Sequence, residues 1–184
     1  MKVHVQAIRN LVFVMFAVTI CQSAHAMIIK MDFTAADFPG GAPQDPVSGT
    51  FSWEATSISD PINSLISVDL TINGYTYNLS ELGFLNDPTG FNGHSLIGGL
   101  LNGVGIAASG TNDFFFLWNR TTSQPDTFTY TTDNTDRGWV VSVLPQLGQF
   151  TQFSLTAVPE PPTQAIMLAG LAGIAAACRR GKKR

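Results

Sequence analysis

Between residues 27 and 157, few side chains could do chemistry. The one histidine there, His94, stands beside Ser95 in Gly93-His94-Ser95-Leu96-Ile97-Gly98. That run is one residue too long for a Gly-x-Ser-x-Gly nucleophile elbow, which also needs a strand-to-helix turn in an α/β sheet. Adjacency in sequence does not make a dyad, and His94 reads as a loop histidine. The two glutamates of this stretch are Glu54 and Glu81. Glycosidic cleavage uses two carboxyl groups roughly 5 to 9 Å apart across a cleft. Glu54 falls on the polar face of its strand and Glu81 follows a hairpin, so spacing alone does not put them face to face.

Asp133-Asn134-Thr135-Asp136-Arg137-Gly138 gathers oxygen ligands in a turn. Calcium takes six to eight oxygens, but the EF-hand spacing and its closing glutamate are missing. The expectation is a plain turn whose Asp and Asn make local hydrogen bonds. No cofactor is therefore assigned, and Ca2+ stays as the alternative. Asp87 and Asp113 would join such a site only if folding gathered them. Trp53, Trp118, Trp139, Tyr75, Tyr77 and Tyr130 could stack on the apolar faces of sugar rings. On strands the same residues build a core through cross-strand aromatic pairs, and core packing is the expected role.

The elements that must position these residues read as strands. Phe51, Trp53 and Ala55 alternate with Thr50, Ser52 and Glu54, a period of two that marks a half-buried strand. Ile66, Val68, Leu70 and Ile72 alternate toward Asn73-Gly74, and Tyr75, Tyr77 and Leu79 alternate beyond it. Asn-Gly between alternating runs predicts a two-residue type I′ hairpin, because both central residues need positive φ. Met27 to Phe33, Glu81 to Leu85, Phe114 to Asn119, Thr127 to Thr131, Trp139 to Leu144 and Phe150 to Val158 supply further strands. From His94 to Ala108 the four glycines at 98, 99, 103 and 105 weigh against a helix, each by about 1 kcal/mol relative to Ala. Two Gly-rich strands turning at Asn102-Gly103 are expected there. Nine or ten short strands at near-regular spacing predict an all-β, antiparallel β-sandwich, jelly-roll-like or similar, over residues 27–157.

That domain is acidic and has no cysteine. It holds three cations, Lys30, Arg120 and Arg137, against twelve carboxylates, so its charge is −9 where the whole chain carries −3. Such a surface repels phosphate backbones, which excludes nucleic acid as a natural partner. Both cysteines, Cys21 and Cys178, lie outside the domain, so it must fold on its core without disulfides and has no thiol chemistry.

Each end is an address. Lys2 and Arg9 precede an apolar run from Leu11 to Cys21, and Ala24 and Ala26 are the small residues that a signal peptidase reads. This three-part pattern predicts a signal peptide over residues 1–26, cleaved after Ala26. At the other end Val158-Pro159-Glu160-Pro161 is followed by an apolar stretch over 163–178 and then Arg179, Arg180, Lys182, Lys183 and Arg184. Sixteen residues of helix cover about 24 Å, short of a hydrocarbon core of about 30 Å. The basic end would stay in the cytoplasm, leaving the domain outside.

Elbow, short Ala/Leu/Gly-rich helix and basic cluster, in that order at the chain's end, resemble the PEP-CTERM sorting signal over residues 158–184. The aromatic often found after that motif is replaced by Thr163-Gln164-Ala165, and Cys178 is unusual beside the basic cluster. The resemblance implies an exosortase-like intramembrane enzyme that cuts near Pro159-Glu160-Pro161. It also implies an exopolysaccharide-producing Gram-negative host. The expectation is an exported, non-enzymatic component of the cell surface or extracellular matrix, held only transiently in the inner membrane. Exopolysaccharide is a candidate partner. A carbohydrate-binding module is the alternative, and a secreted hydrolase a further one.

Overall fold

The computed structural model describes residues 26–143 and 147–158. Apart from Ala26, the signal peptide expected over residues 1–26 lies outside the described residues, as do the Pro-Glu-Pro elbow, the helix expected over 163–178 and the basic tail. Ten strands occur in chain order: β1 Met27–Ala36, β2 Val47–Ala55, β3 Ser64–Ile72, β4 Tyr75–Thr76, β5 Leu82–Asn86, β6 His94–Gly99, β7 Asp113–Asn119, β8 Gln124–Thr131, β9 Gly138–Ser142 and β10 Gln149–Val158. A single 3-10 turn, Leu79–Glu81, separates β4 from β5. Among the described residues no helix is long and apolar enough to cross a membrane.

The strands form two five-stranded antiparallel sheets, β10-β1-β2-β3-β4 and β5-β6-β7-β8-β9. Each is a meander in which strands that follow one another in sequence pair side by side, and β10 returns to the free side of β1. This corrects the jelly-roll expectation. A jelly roll passes successive strands between its two sheets, whereas here the chain changes sheet only at β4–β5 and β9–β10 and successive strands otherwise pair side by side.

The alternation along β1 and β2 builds one wall of the core. Ile29, Met31, Phe33 and Ala35 on β1, and Phe51, Trp53 and Ala55 on β2, are buried. Phe114, Phe116 and Trp118 on β7 and Phe128 and Tyr130 on β8 supply the facing wall. The walls meet ring to ring. Phe33 lies 4.7 Å from Phe116, Trp53 lies 5.2 Å from Trp118, and Phe51 stacks on Phe114 at 5.8 Å. Offset and edge-on contacts of this kind suit aromatic quadrupoles.

The hairpin forms at Asn73-Gly74 as expected, with φ of 49° and 82°. Its second arm is shorter than the alternation predicts. Pairing stops at Tyr75 and Thr76, Tyr77 adds one backbone bond to the Leu70 carbonyl, and Leu79 sits exposed in the 3-10 turn. That turn carries the chain to the other sheet, a tertiary demand that overrides local alternation.

The second Gly-rich strand is also absent. After β6 the segment 100–112 is irregular and folds over the outer face of its sheet. A Cβ on Gly98 would overlap the Val104 carbonyl oxygen, and one on Gly83 would lie 2.7 Å from Val104 Cγ2. The glycines there permit backbone-to-backbone approach in place of strand pairing. Gly105 of that segment lies near Leu96, and Leu96 and its cross-strand partner Leu117 are both buried, so the apolar reading of Phe114 to Trp118 on both faces has its counterpart in the fold.

Candidate functional site

Carboxylates, hydroxyls and apolar side chains converge in a concavity beside the β3–β4 hairpin. Tyr75, Tyr77, Glu81, Gly99, Leu100, Leu101, Asn112 and Asp113 line a cleft of about 410 Å³ between the β3–β4 hairpin and the start of β7. The type I′ turn aims Tyr75 and Tyr77 to the same side. Their rings meet edge to face at 4.9 Å, and Tyr77 leans on Phe114 at 4.7 Å. The 3-10 turn then places Glu81 against Tyr75, whose hydroxyl donates to Oε1 at 2.6 Å. The backbone N–H of Asn78 donates to Oε2 at 2.7 Å. Tyr75 first, and Asn78 after it, hold the Glu81 carboxyl below its ordinary range.

Asp113 opens β7 at the floor of the cleft and is fully buried. Oδ1 accepts the backbone N–H of Phe114 at 2.9 Å, and Oδ2 accepts Asn102 Nδ2 at 3.3 Å. Burial pushes its pKa up, and those two bonds only partly oppose the shift. Gly99 leaves the room this carboxylate needs, because a Cβ there would overlap Asp113 Oδ1. Tyr77 is 4% exposed and its hydroxyl has no hydrogen-bond partner among the described residues. Burial pushes its pKa up, and the charge on Asp113 adds to that.

The residues singled out from sequence are mostly dispersed. His94 begins β6 and is a strand residue, contrary to the loop expected. His94 and Ser95 point to opposite faces of the pleat. His94 Nε2 lies 3.4 Å from Asp126 Oδ2, while Ser95 is fully buried and donates to Asn86 Oδ1 at 2.8 Å. Glu54 accepts the Ser64 hydroxyl at 2.9 Å on β2 and does not line the cleft that holds Glu81. Of the six candidate stacking aromatics, Trp53, Trp118, Trp139, Tyr77 and Tyr130 are buried. Tyr75 alone keeps partial exposure.

Asp133 to Gly138 forms a turn that docks on the loop before β7. Asn112 Oδ1 accepts the Asp133 N–H at 3.3 Å, and the Thr135 carbonyl accepts the Gly110 N–H at 2.8 Å. Asp113 pairs with Thr131 at this end of the sheet, while Asp87 is held by Arg120 beside His94 at the far end. Among the described residues no three His, Cys, Asp or Glu side chains converge in a way that could hold a metal ion.

A second, shallower concavity of about 400 Å³ lies on the outer face of β1, β2 and β3. Two pairs of its polar groups bond each other: Thr50 donates to Asp32 at 2.7 Å and Thr34 bonds Ser48 at 2.9 Å.

Asn112, Leu100 and Leu101 join Glu81 without having been foreseen, and Asp113, weighed only as a possible Ca2+ ligand with the 133–138 turn, joins it too. The available signal was an acid placed directly before the wholly apolar Phe114-Phe115-Phe116-Leu117-Trp118. An acid in that position is drawn inward with the strand.

The third feature is the exit of the chain. In the β1–β10 pair Val158 stands opposite Ile28, and Ala157 opposite Ile29. The last described residue thus lies beside the second residue of the expected mature N-terminus, at one corner of one sheet. Of the residues flagged for processing, Ala26 and Val158 are the two described, and both lie at this corner.

Residues 157–183 match the family model described as the PEP-CTERM protein-sorting motif. The chain therefore carries, at its C-terminus, the signal of an exported protein sorted at a membrane by exosortase. Neither the curated proteins nor the solved structures contain a match to this chain.

Proposed function

We propose that this protein is a non-enzymatic structural component of the cell surface or extracellular matrix of an exopolysaccharide-producing bacterium. Signal peptidase acts after Ala26, the apolar helix over 163–178 holds the domain at the outer side of the inner membrane, and exosortase cuts near Pro159-Glu160-Pro161. The observation that carries this reading is the overlap between the sorting motif and the last strand. The motif begins at Ala157, and β10 runs to Val158. Among the described residues every one that pairs thus lies before the elbow, and a cut within it leaves both described sheets whole. Pro159 and Pro161 lack the N–H groups that would continue the sheet.

The β1–β10 corner supports the same route. Both membrane-directed segments leave from neighbouring strand ends, so the domain can be tethered at one corner and fold away from the bilayer. Replacing Pro159-Glu160-Pro161 by alanines should leave the protein cell-associated in a strain with the sorting enzyme. Unchanged release would refute the processing step. Sugar stacking gains little support from the geometry, because Tyr75 alone among the candidate aromatics keeps an accessible ring.

A further inference from the structure

We propose that the cleft between the β3–β4 hairpin and β7 binds a small organic cation, a primary ammonium on an apolar stem. The argument starts from charge. Glu81 and Asp113 both line the cleft, and no Lys, Arg or His does. The three cations of the domain are committed elsewhere: Lys30 to Asp32, Arg120 to Asp87, and Arg137 to the Gly40 carbonyl and the face of Trp139. Buried carboxylates are normally paired or hydrogen-bonded. Asp113 has only one backbone N–H and one long amide bond.

A second observation is independent of the acids. The Tyr77 hydroxyl is buried and partnerless, an arrangement that calls for an explanation in a folded protein. Tyr77 is itself one of the residues that line the cleft, with its ring between those of Tyr75 and Phe114. A phenolic oxygen can accept a hydrogen bond from an ammonium. The two tyrosine rings, edge to face at 4.9 Å, add a π surface of the kind that attracts cations.

The rim supplies the rest of the match. Leu100 is 51% exposed and Leu101 69% exposed, so an apolar stem would bury surface that now faces water. An anion would meet two carboxylates. A neutral hydroxyl compound could bond Tyr77 but would gain nothing from the uncompensated charge. This inference does not depend on the sorting route, and a failure of either leaves the other standing.

The test uses the purified full chain and three probes of one shape: n-butylammonium, n-butanol and butyrate, with glucose as a sugar control. Isothermal titration calorimetry at low salt should show saturable binding of n-butylammonium, roughly tenfold or more tighter than n-butanol, and none of butyrate. Glu81→Gln keeps the shape of the side chain and removes one charge, and it should weaken binding roughly tenfold. Tyr77→Phe should also weaken it. Asp126→Asn, outside the cleft, should leave it unchanged, and circular dichroism should confirm that each variant is folded. Equal affinity for n-butanol, tighter binding of glucose, no saturable binding at all, or a folded Glu81→Gln chain that binds like the parent would each overturn the proposal.

Discussion

Val158 faces Ile28 across the β1–β10 ladder. Through this pair the last residue of β10 closes on the second residue of β1, and the processing points expected at both ends fall at one corner. Strand β10 contributes Phe150 and Phe153, whose rings reach Phe116 at 5.5 Å and 6.0 Å. The strand also covers one whole edge of β1. A chain ending at Val158 should therefore keep the stability of the longer protein. A chain ending at Gly148 should be largely unfolded, since burial of each aromatic side chain contributes about 1.5–3 kcal/mol and a domain's net stability is only about 5–15 kcal/mol. Urea denaturation of the two truncations checks this.

Phe116 touches rings from both sheets, among them Phe33 and Phe128. Phe116→Ala should cost about 3–5 kcal/mol, through lost burial and the cavity left behind. An equilibrium denaturation midpoint that barely moves would mean that the two sheets do not pack through this ring.

Gly99 is next to the cleft floor. A methyl group there would overlap Asp113 Oδ1, so Gly99→Ala should destabilise the fold by about 1–3 kcal/mol. Gly41 gives the contrast for space. It has positive φ and nothing within 4 Å of a built Cβ, so Gly41→Ala should show backbone strain with no effect on Asp113.

Acid dependence separates the two carboxylates of the cleft. The folded pKa of Asp113 is raised, by burial, so the folded state holds its proton to higher pH than the unfolded chain does. Stability from this group is full at low pH and falls as pH rises from the ordinary aspartate range through the raised value. Glu81 is lowered, by the Tyr75 hydroxyl first, so its contribution is present above the ordinary glutamate range and is lost as pH falls through the lowered value. Asp113→Asn should flatten the first dependence and Glu81→Gln the second. Denaturation midpoints measured from acid to neutral pH would reveal a swap of these signs.

Much of the fold was legible because it rests on local pattern. Asn73-Gly74 announced its hairpin, and the period-two runs at Phe51-Trp53-Ala55 and Ile66 to Ile72 announced their strands. What was not legible depends on where the chain must go next. Leu79 keeps the alternation, yet the 3-10 turn at Leu79–Glu81 carries the chain to the second sheet. The glycines at 98 and 99 were read only as weighing against a helix, and their reason is tertiary: the backbone of Val104 and the carboxylate of Asp113 occupy the places of their side chains. The meander order was hidden because alternation says which face is buried and nothing about which strand lies alongside. The cleft was hidden for the same reason, since Glu81 and Asp113 are brought together by a change of sheet. The sorting signal was legible in full because it is read as a linear segment.

The most direct measurement is the C-terminal peptide of the exported protein, by mass spectrometry of material from the medium and cell surface. The account predicts a terminus at or near Pro159-Glu160-Pro161, with β10 complete and no peptide from residues 163–184. A mature protein that still ends at Arg184 would contradict it.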